Sequence, residues 1–420
     1  IIGLGYVGLP LALAFAERGF KTIGFELSPD KLSHLNAGRS YIASITDARI
    51  AGARAEGRLR ATAEFSRLVE CDAVLICVPT PLTEVREPDL SHVTSATREI
   101  AKRLRAGQLV VLESTTYPGT TDRIVKPLLA ASGLVAGEEF FLAFSPERED
   151  PGNLNFSTTT IPKLVGGCDP LSAELAHMLY EQAISQVVRV SDAATAEAAK
   201  ITENVFRAVN IALVNELKVV YERMGINVWE VLDAAATKPF GFMRFNPGPG
   251  WGGHCIPLDP FYLSWRAREC GVDTKFIELA GEVNRAMPTY VVERLQQALN
   301  DRCKPIKGSA VMLLGVAYKK DIADSRESPA YPIAQRLLTL GARLSYHDPY
   351  IEQLTDTHSL PGQPQLKSVP LTAETLSHTD AVLVVTDHTN IDYALVQKHA
   401  HLIVDSRGVY REPHERIVRA

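Results

Sequence analysis

One cysteine lies in a segment so rich in glycine and proline that a chemical role for its thiol must be weighed. Residues 246–260 read NPGPGWGGHCIPLDP and contain Cys255. A thiolate can capture an aldehyde and hold it for a second oxidation, which carries an alcohol through to a carboxylate. Nearby glycines would let the backbone approach a ligand closely. We therefore interpret Cys255 as a candidate nucleophile.

The alternative is that Cys255 is a small buried apolar side chain, which is the usual fate of a free cysteine. We assign that role to the other cysteines, which are Cys71, Cys77, Cys168, Cys270 and Cys303. His254 is a less favoured activating base for the thiol, because adjacent side chains commonly diverge. Loop amides or a lysine could stabilise the thiolate instead.

The chain opens on GLGYVG, a spacing typical of dinucleotide-binding turns. A strand-like start precedes it and a helical pattern follows, so the pyrophosphate would lie at the N-terminus of that helix. A glycine-rich turn without a ligand is the alternative. The predicted cofactor contacts of this turn are Gly3, Gly5, Tyr6, Val7 and Gly8.

Glu26 ends the second predicted strand, where an acid can accept hydrogen bonds from both ribose hydroxyls. Its charge would also repel a 2′-phosphate, which favours NAD over NADP. Lys31 lies nearby in the sequence and could weaken that preference.

Lys200 and Asn204 are four residues apart in a long helical pattern, so they share a face. Glu197 and Arg207 extend that stripe, and the alternative is an ordinary solvated face. Asn204, Asn210 and Asn215 are poor helix formers in an apolar segment, which indicates polar contacts inside the protein. An ammonium beside an amide can stabilise an oxyanion.

Three further residues are candidates for supporting roles. Glu147 follows a predicted strand and could activate water as a general base, and Thr115 offers a hydroxyl near the nicotinamide. Asp259 could orient Lys200 or a water molecule. Each also has an ordinary interpretation as a turn or capping residue.

Two α/β regions must position these groups. Apolar strands are predicted at 72–78, 109–112 and 140–144, and each ends in polar residues, where ligands bind in parallel sheets. A helix is predicted at 191–223, with Asp192 as its N-cap. Strand and helix patterns resume after residue 308. TDAVLVV at 379–385 resembles CDAVLICV at 71–78, which hints at two related halves.

The composition excludes several classes of partner. The 420 residues carry a net charge of −5 with interspersed signs, so no basic stripe for nucleic acid is present. No apolar run reaches the roughly 18 residues that span a bilayer, so we expect no membrane partner. The scattered cysteines predict neither a metal site nor disulfides, which suits the cytoplasm. No signal peptide is visible, and we expect the first strand to begin before Ile1.

The ordered motifs resemble the UDP-sugar 6-dehydrogenase family, and most closely its UDP-N-acetylglucosamine group. The similarity covers nearly the whole chain. The motifs in family order are GLGYVGLPLA at 3, CVPTPL at 77, ESTTYPGTT at 113, SPER at 145, IPKLVGG at 161, the Lys200/Asn204 helix, GPGWGGHCIPLDP at 248 and KKDIADSRESP at 319.

The resemblance implies oxidation of a C6 hydroxyl to a carboxylate with two NAD, through a thiohemiacetal and a thioester on Cys255. Lys200 and Asn204 would stabilise the oxyanions, while Asp259, Glu147 and Thr115 would assist hydrolysis. Further cofactor contacts implied in this way are Thr80, Thr115 and Arg326. Implied substrate contacts are Glu147, Arg148, Lys200, Asn204, Arg244, Gly252, Lys319 and Arg407, with Arg244 reaching substrate from a neighbouring subunit.

The family also implies an architecture. We expect two Rossmann-like doubly wound domains joined by a long central helix and a helical dimerisation region. The predicted domains are an NAD-binding domain at 1–180, a central helical domain at 181–300 and a UDP-sugar-binding domain at 301–420. The long helix would form the core of a homodimer or a larger homo-oligomer.

Departures from the family pattern bear on the sugar. UDP-glucose dehydrogenases usually carry a small polar residue and a lysine where this chain has His254 and Leu258. Together with TKPFGFMRF at 237–245, these residues favour an N-acetylhexosamine. The alternatives are a UDP-glucose 6-dehydrogenase, a two-electron hydroxyacid-type dehydrogenase with a structural Cys255, and a non-catalytic NAD-binding module.

Overall fold

The computed structural model describes residues 1–42, 44–83, 87–148, 156, 158–253, 255–354 and 366–420. The chain divides into two compact units. The first comprises Ile1–Glu203 and Phe261–Asp273, and the second comprises Asn204–Pro260 and Thr274–Ala420.

The first unit alternates strands with helices. Its strands are β1 (Thr22–Phe25), β2 (Leu59–Thr62), β3 (Ala73–Ile76), β4 (Leu109–Leu112), β5 (Phe141–Phe144), β6 (Lys163–Gly167) and β7 (Val187–Arg189). Its helices are α1 (Gly8–Glu17), α2 (Pro29–Asn36), α3 (Asp47–Ala55), α4 (Ser91–Ala101), α5 (Lys126–Ala130) and α6 (Pro170–Glu181). A 3₁₀ turn covers Phe65–Glu70, and a π-helical turn at Thr121–Val125 runs into α5.

The parallel sheet of this unit is centred on the first residues of the chain. Ile2 bridges in parallel to Phe25 on one side and to Ile76 on the other, so it joins the β1–β2 pair to the order β3-β4-β5-β6-β7. Strand β6 runs antiparallel to β5, whereas β3, β4 and β5 are parallel. The carboxyl ends of these three strands therefore meet at one edge of the sheet, as the polar residues after them predict.

Both faces of this sheet are buried, because side chains alternate across a strand. Leu109 and Val111 of β4 enter one apolar cluster, and Val110 and Leu112 enter another. Such double burial explains why the parallel strands read as continuous apolar runs.

The second unit contains a sheet of the same kind, in the order β12-β11-β10-β8-β9, with every pair parallel. Its strands are β8 (Ala310–Leu314), β9 (Arg343–His347), β10 (Ala381–Val384), β11 (Ile403–Asp405) and β12 (Ile417–Arg419). The helices after β8 are α11 (Ala330–Thr339), α12 (Ala373–Ser377) and α13 (Tyr393–His399). Strand β10 lies next to β8 in its sheet, just as β3 lies next to Ile2 in the first sheet. The similar sequences at 71–78 and 379–385 therefore form equivalent strands.

Four helices, two of them long, form the described middle part of the chain. They are α7 (Ala193–Arg223), α8 (Val228–Ala235), α9 (Asp259–Glu269) and α10 (Lys275–Asn300). Helix α7 has 31 residues, and the predicted cap is present, since Thr195 N donates to Asp192 Oδ1 over 2.7 Å. Gly225 beyond its end adopts φ +73°, a left-handed conformation common just after helices.

The predicted fold class is confirmed: the chain is an α/β protein with a Rossmann-like domain at each end and a long central helix. The three domain boundaries stay a prediction. Among the described residues, no helix combines the length and the apolar character needed to cross a membrane.

Candidate active site

The glycine turn has the tight geometry that a dinucleotide requires. Gly3 has φ +88°, and a Cβ there would lie 2.6 Å from the Cys77 carbonyl oxygen. A Cβ on Gly8 would lie 1.9 Å from the Gly3 oxygen, whereas a Cβ on Gly5 would meet nothing within 4 Å. The first and third glycines therefore close the turn, and the second leaves open space for a pyrophosphate beside the start of α1. The turn fits the implied cofactor.

Glu26 follows β1 directly and lies against the same turn. Its carboxylate accepts hydrogen bonds from Leu4 N at 3.3 Å, Leu27 N at 2.9 Å and Ser28 N at 3.0 Å. Lys31 Nζ lies 3.3 Å from Glu26 Oε2. Burial opposes ionisation, but the backbone hydrogen bonds and the Lys31 charge together lower the pKa of Glu26. Glu26 is therefore a fixed negative charge at the carboxyl end of β1.

Thr80 and Thr115 meet at the edge formed by β3 and β4. Thr80 Oγ1 donates to the Thr115 carbonyl oxygen over 2.8 Å, and Ser114 Oγ donates to Val78 O over 2.7 Å. Tyr262 donates its hydroxyl to the Thr80 carbonyl. These contacts fix the peptide of Thr115, one of the predicted catalytic residues.

Glu197 anchors the next part of the same loop from helix α7. Its buried carboxylate accepts from Gly119 N at 2.5 Å, from Thr121 N at 2.9 Å and from Thr121 Oγ1 at 2.6 Å. Burial raises the pKa of Glu197 to about 7, although these hydrogen bonds act in the opposite direction. The predicted stripe on α7 thus begins with a buried structural acid.

Glu147 lies three residues beyond β5, at the edge that also carries Thr115. Its Oε1 accepts from Arg148 N over 2.8 Å, and its Oε2 lies 3.5 Å from Lys163 Nζ. The Arg148 guanidinium pairs with Glu203 of α7 at 2.6 Å and donates to Pro162 O over 2.6 Å. Both predicted residues are therefore held by neighbouring groups.

The inner face of α7 is polar, as predicted, and carries Lys200 and Asn204, which are 6% and 0% exposed. Asn204 Nδ2 donates to Asp259 Oδ2 over 2.5 Å, and Arg207 donates to Asn204 Oδ1. The Asn204 amide is thereby oriented at both ends. Asn210 differs from the prediction, since it is half-buried and donates to Phe206 O of its own helix.

Cys255 is exposed and lies one helical turn before α9. The Cys255 carbonyl accepts from Leu258 N at 3.1 Å and from Asp259 N at 2.8 Å, so the turn begins at the cysteine. The burial expected of a purely structural cysteine is not found at Cys255. It is not found at Cys270 and Cys303 either, for which burial was predicted, and His254 lies outside the described residues.

The glycines before Cys255 pack closely against the protein itself. A Cβ on Gly248 would lie 2.3 Å from Arg407 Nη1, and one on Gly253 would lie 2.6 Å from the Tyr318 ring. On Gly252 it would lie 2.8 Å from both the Glu327 carbonyl oxygen and Tyr318 Cβ. Close packing within the second unit therefore accounts for these glycines, while approach of Gly252 to substrate stays a prediction.

The remaining predicted contacts lie in the second unit, and the three arginines among them make ion pairs there. Arg407 Nε donates to Asp387 Oδ1 over 2.9 Å, Arg326 pairs with Asp324 at 2.6 Å, and Arg244 pairs with Asp233. Gly253 N donates to the Arg326 carbonyl over 3.2 Å, which joins that segment to the cysteine loop. Lys319 is half-buried in the loop after β8.

Asn215 makes buried polar contacts, as predicted, whereas sequence reasoning missed Lys218 and Asn284, which help to anchor this loop. Gly248 N donates to Asn215 Oδ1 over 2.9 Å, and Lys218 Nζ donates to Gly248 O over 2.9 Å. Asn215 Nδ2 donates in turn to Asn284 Oδ1 over 2.8 Å. Burial, followed by the Arg407 charge, lowers the pKa of Lys218 to about 7. A lysine three residues from an asparagine on an apolar helix was the available signal.

A Rossmann-type glycine turn, a buried lysine and amide on a long helix, and an exposed thiol define a nicotinamide-dependent oxidoreductase. Within the described residues, no group of three or more His, Cys, Asp or Glu side chains could hold a metal ion. Three models of the UDP-glucose/GDP-mannose dehydrogenase family match the chain: the NAD binding domain over residues 1–184, the central domain over 194–286 and the UDP binding domain over 312–412. The chain belongs to this family.

Relatives with different sugar names are similarly close. A UDP-N-acetyl-D-glucosamine 6-dehydrogenase of Pseudomonas aeruginosa is 36% identical over 84% of this chain and 82% of its own length. An NDP-N-acetyl-D-galactosaminuronic acid dehydrogenase of Ralstonia nicotianae is 36% identical over 98% and 95%. The solved structure of a UDP-D-ManNAc dehydrogenase from Pyrococcus horikoshii has a TM-score of 0.90 at 30% identity, covering 100% of this chain and 97% of that chain.

Proposed function

We propose that the protein oxidises the C6 hydroxyl of a UDP-N-acetylhexosamine to the uronic acid with NAD, and that UDP-N-acetylglucosamine is its first candidate substrate. The names of the relatives support an N-acetylhexosamine without ranking the gluco, galacto and manno sugars. The observation that carries the proposal is the position of Cys255, which is exposed and lies one turn before Asp259. The Asp259 carboxylate in turn accepts a hydrogen bond from the buried Asn204.

The thiol accounts for the step beyond the aldehyde. NAD, when bound, supplies the acceptor for a hydride at each oxidation. The Cys255 sulfur adds to the C6 aldehyde carbon and forms a thiohemiacetal, whose oxygen carries negative charge as it forms. Lys200 and Asn204 provide an ammonium and an amide N–H for that oxygen. The second oxidation then leaves a thioester on Cys255.

Hydrolysis of the thioester returns the thiol. A water oxygen attacks the thioester carbonyl carbon, Glu147 takes the proton from water, and the carbon–sulfur bond breaks to release the Cys255 thiolate. Thr115 assists this step through its hydroxyl. Asp259 holds Asn204 through the 2.5 Å hydrogen bond and keeps its amide oriented.

NAD is preferred over NADP because of the charge on Glu26. The carboxylate is fixed at the end of β1 by three backbone N–H groups, where it can accept from ribose hydroxyls and repel a 2′-phosphate. Lys31 already pairs with Glu26 at 3.3 Å, so the positive charge of Lys31 is partly compensated and attracts a 2′-phosphate less.

A homodimer through α7 is the proposed assembly. Phe206, Leu213 and Val220 are spaced by seven residues and are 46%, 52% and 44% exposed, and Met224 extends the stripe at 63%. A seven-residue apolar repeat along one helix face is typical of helix pairing between chains. Without a partner helix, exposing this row of apolar side chains to water would be unfavourable.

The thiol chemistry is tested with a Cys255→Ser variant and a matched Cys270→Ser control, since Cys270 is also exposed. We expect the Cys255 variant to bind NAD and to lose steady-state formation of the acid, while the control keeps wild-type turnover. Full NAD reduction to the acid by the Cys255 variant would contradict the proposal and favour a structural cysteine.

The substrate is tested with a panel of UDP-sugars followed by absorbance at 340 nm. We expect kcat/KM for UDP-N-acetylglucosamine to exceed that for UDP-glucose. Preference for UDP-glucose would correct the sugar assignment. NAD binding without turnover of any UDP-sugar would favour a non-catalytic module.

A further inference from the structure

A cluster of buried charges lies beside Glu147 and is not used by the chemistry proposed above. Glu113, Lys163 and Tyr180 are 1%, 4% and 0% exposed. Lys163 Nζ donates to Glu113 Oε2 over 2.7 Å and to Pro146 O over 3.3 Å, and Tyr180 donates its hydroxyl to Glu113 Oε1. Burying such charges is unfavourable unless they are paired, so their presence here calls for a reason.

The antiparallel strand β6 explains how the ammonium reaches Glu147. Phe144 of β5 pairs with Gly166 of β6, and Ala143 pairs with Gly167. The same register, continued three residues beyond Phe144, places Glu147 opposite Lys163, the first residue of β6. Nζ of this lysine lies 3.5 Å from Glu147 Oε2. If β6 were parallel to β5, its first residue, Lys163, would lie at the opposite edge of the sheet from Glu147.

Glu113 belongs to the cluster because it follows β4 directly, on the other side of β5. Burial by itself would lower the pKa of Lys163, but the charges of Glu113 and Glu147 outweigh it and raise that pKa. The ammonium therefore remains charged between two carboxylates. The other ionisable groups that face the cluster are Tyr180, whose ring lies 5.2 Å from Nζ, and the buried thiol of Cys77.

We propose that Lys163 is a positioning residue that holds the Glu147 carboxylate for thioester hydrolysis, with Glu113 holding the lysine in turn. This inference rests on the proposed role of Glu147 as the base that takes a proton from water. It places the effect of Lys163 on the last chemical step alone. Both oxidations precede that step, so loss of the lysine should let the Cys255 thioester accumulate.

The test compares wild-type protein with Lys163→Met, Lys163→Arg and Tyr180→Phe in rapid-quench reactions with NAD and UDP-N-acetylglucosamine. Intact mass spectrometry then measures the fraction of subunits that carry the acyl group. We expect Lys163→Met to release about two NADH per subunit rapidly and then turn over ~10- to 100-fold more slowly, with the acyl-enzyme predominant. Lys163→Arg should recover part of the rate. Tyr180→Phe removes the hydroxyl contacts to Glu113 and Ser145 but keeps Lys163 and both acids, so it should form little acyl-enzyme.

A second variant guards against a folding defect. Glu113→Gln combined with Lys163→Met removes the fully buried ion pair as a unit, so the Glu113 carboxylate is not left buried without its ammonium partner. We expect this double variant to fold and to accumulate acyl-enzyme as well. Wild-type turnover by either variant, or an equal loss of both oxidations without acyl-enzyme, would overturn the inference. If wild-type protein forms only one NADH and no acid, the proposed function itself fails, which is a distinguishable result.

Discussion

Asn204 of helix α7 donates a 2.5 Å hydrogen bond to the carboxylate of Asp259, the first residue of α9, and both side chains are buried. The other end of the Asn204 amide accepts from Arg207. An amide held at both ends can present its remaining N–H to an oxyanion without reorganising. The bond also links the helix of Lys200 to the turn that carries Cys255.

Asn204→Ala should therefore impair the chemistry more than the fold. Removing one oxyanion donor lowers kcat by roughly 100- to 1,000-fold in enzymes that rely on such donors. Asn210→Ala is the matched control, because Asn210 bonds only the Phe206 carbonyl among the contacts described for it and should leave kcat unchanged. Steady-state kinetics with UDP-N-acetylglucosamine measure both. Equal effects of the two substitutions would argue against an oxyanion role.

Glu26→Gln should relax cofactor choice. The variant keeps an acceptor for ribose but loses the charge that repels a 2′-phosphate, so we expect the ratio of kcat/KM for NAD to that for NADP to fall by about 10-fold or more. The control is Glu17→Gln, an exposed acid paired with Arg49 at 2.8 Å. An unchanged ratio would show that Glu26 does not decide between the cofactors.

Leu213→Glu should separate the subunits. A glutamate in the middle of the α7 stripe would be an uncompensated charge in the interface, at a cost of about 3–5 kcal/mol, which raises the dissociation constant at least ~100-fold. Analytical ultracentrifugation measures this dissociation constant. Leu171→Glu is the control, because Leu171 on α6 is 45% exposed and lies outside the stripe. A dimer that survives Leu213→Glu would place the interface elsewhere.

Glu197 should make stability depend on pH. Burial raises its pKa to about 7, whereas the pKa of a glutamate in the unfolded chain is 4.5. The folded state thus binds the proton more tightly, so this stabilisation is complete below pH 4.5 and is lost as pH rises through about 7. Between pH 5 and pH 8, the thermal midpoint of unfolding should fall less in Glu197→Gln than in the wild-type protein. The exposed Glu216 on the same helix supplies the control Glu216→Gln, and an equal fall in both variants would refute this assignment.

Gly253→Ala should show that the cysteine loop is packed against the protein. Gly253 has φ +83°, and a Cβ there would lie 2.6 Å from the Tyr318 ring, whereas Gly308 has φ +81° and a Cβ there would meet nothing within 4 Å. Both alanine variants share the backbone strain, so the difference between them reports the collision. We expect Gly253→Ala to be less stable than Gly308→Ala by about 1–3 kcal/mol in the free energy of unfolding. Equal losses would mean that the loop has room.

The sequence predicted much of the architecture, because buried parallel strands read as apolar runs and end in polar residues. Strand β4 lies where it was expected, and Asp192 caps α7 as its side chain predicts. Strand β12 was missed, since three residues ending in Arg419 carry no such run, and its pairing with β11 forms the strand.

The candidate site was predicted less completely, because much of it depends on pairing that is not local in sequence. The contact between Asn204 and Asp259 joins residues that were each chosen for their chemistry. Lys163 was not chosen, since only the antiparallel register of β6 brings it to Glu147. The glycines before Cys255 were expected to allow close approach to a ligand, which stays a prediction, and the sequence did not show that they also leave room for side chains such as Tyr318.

We propose that the Cys255 thiol lets the enzyme remove two hydrides from each sugar, whereas a dehydrogenase without such a thiol would remove one. The most direct measurement is the amount of NADH formed from a limiting amount of UDP-N-acetylglucosamine, together with identification of the product by mass spectrometry. We expect two NADH for each sugar and a UDP-uronic acid. One NADH for each sugar with an accumulating aldehyde would contradict it.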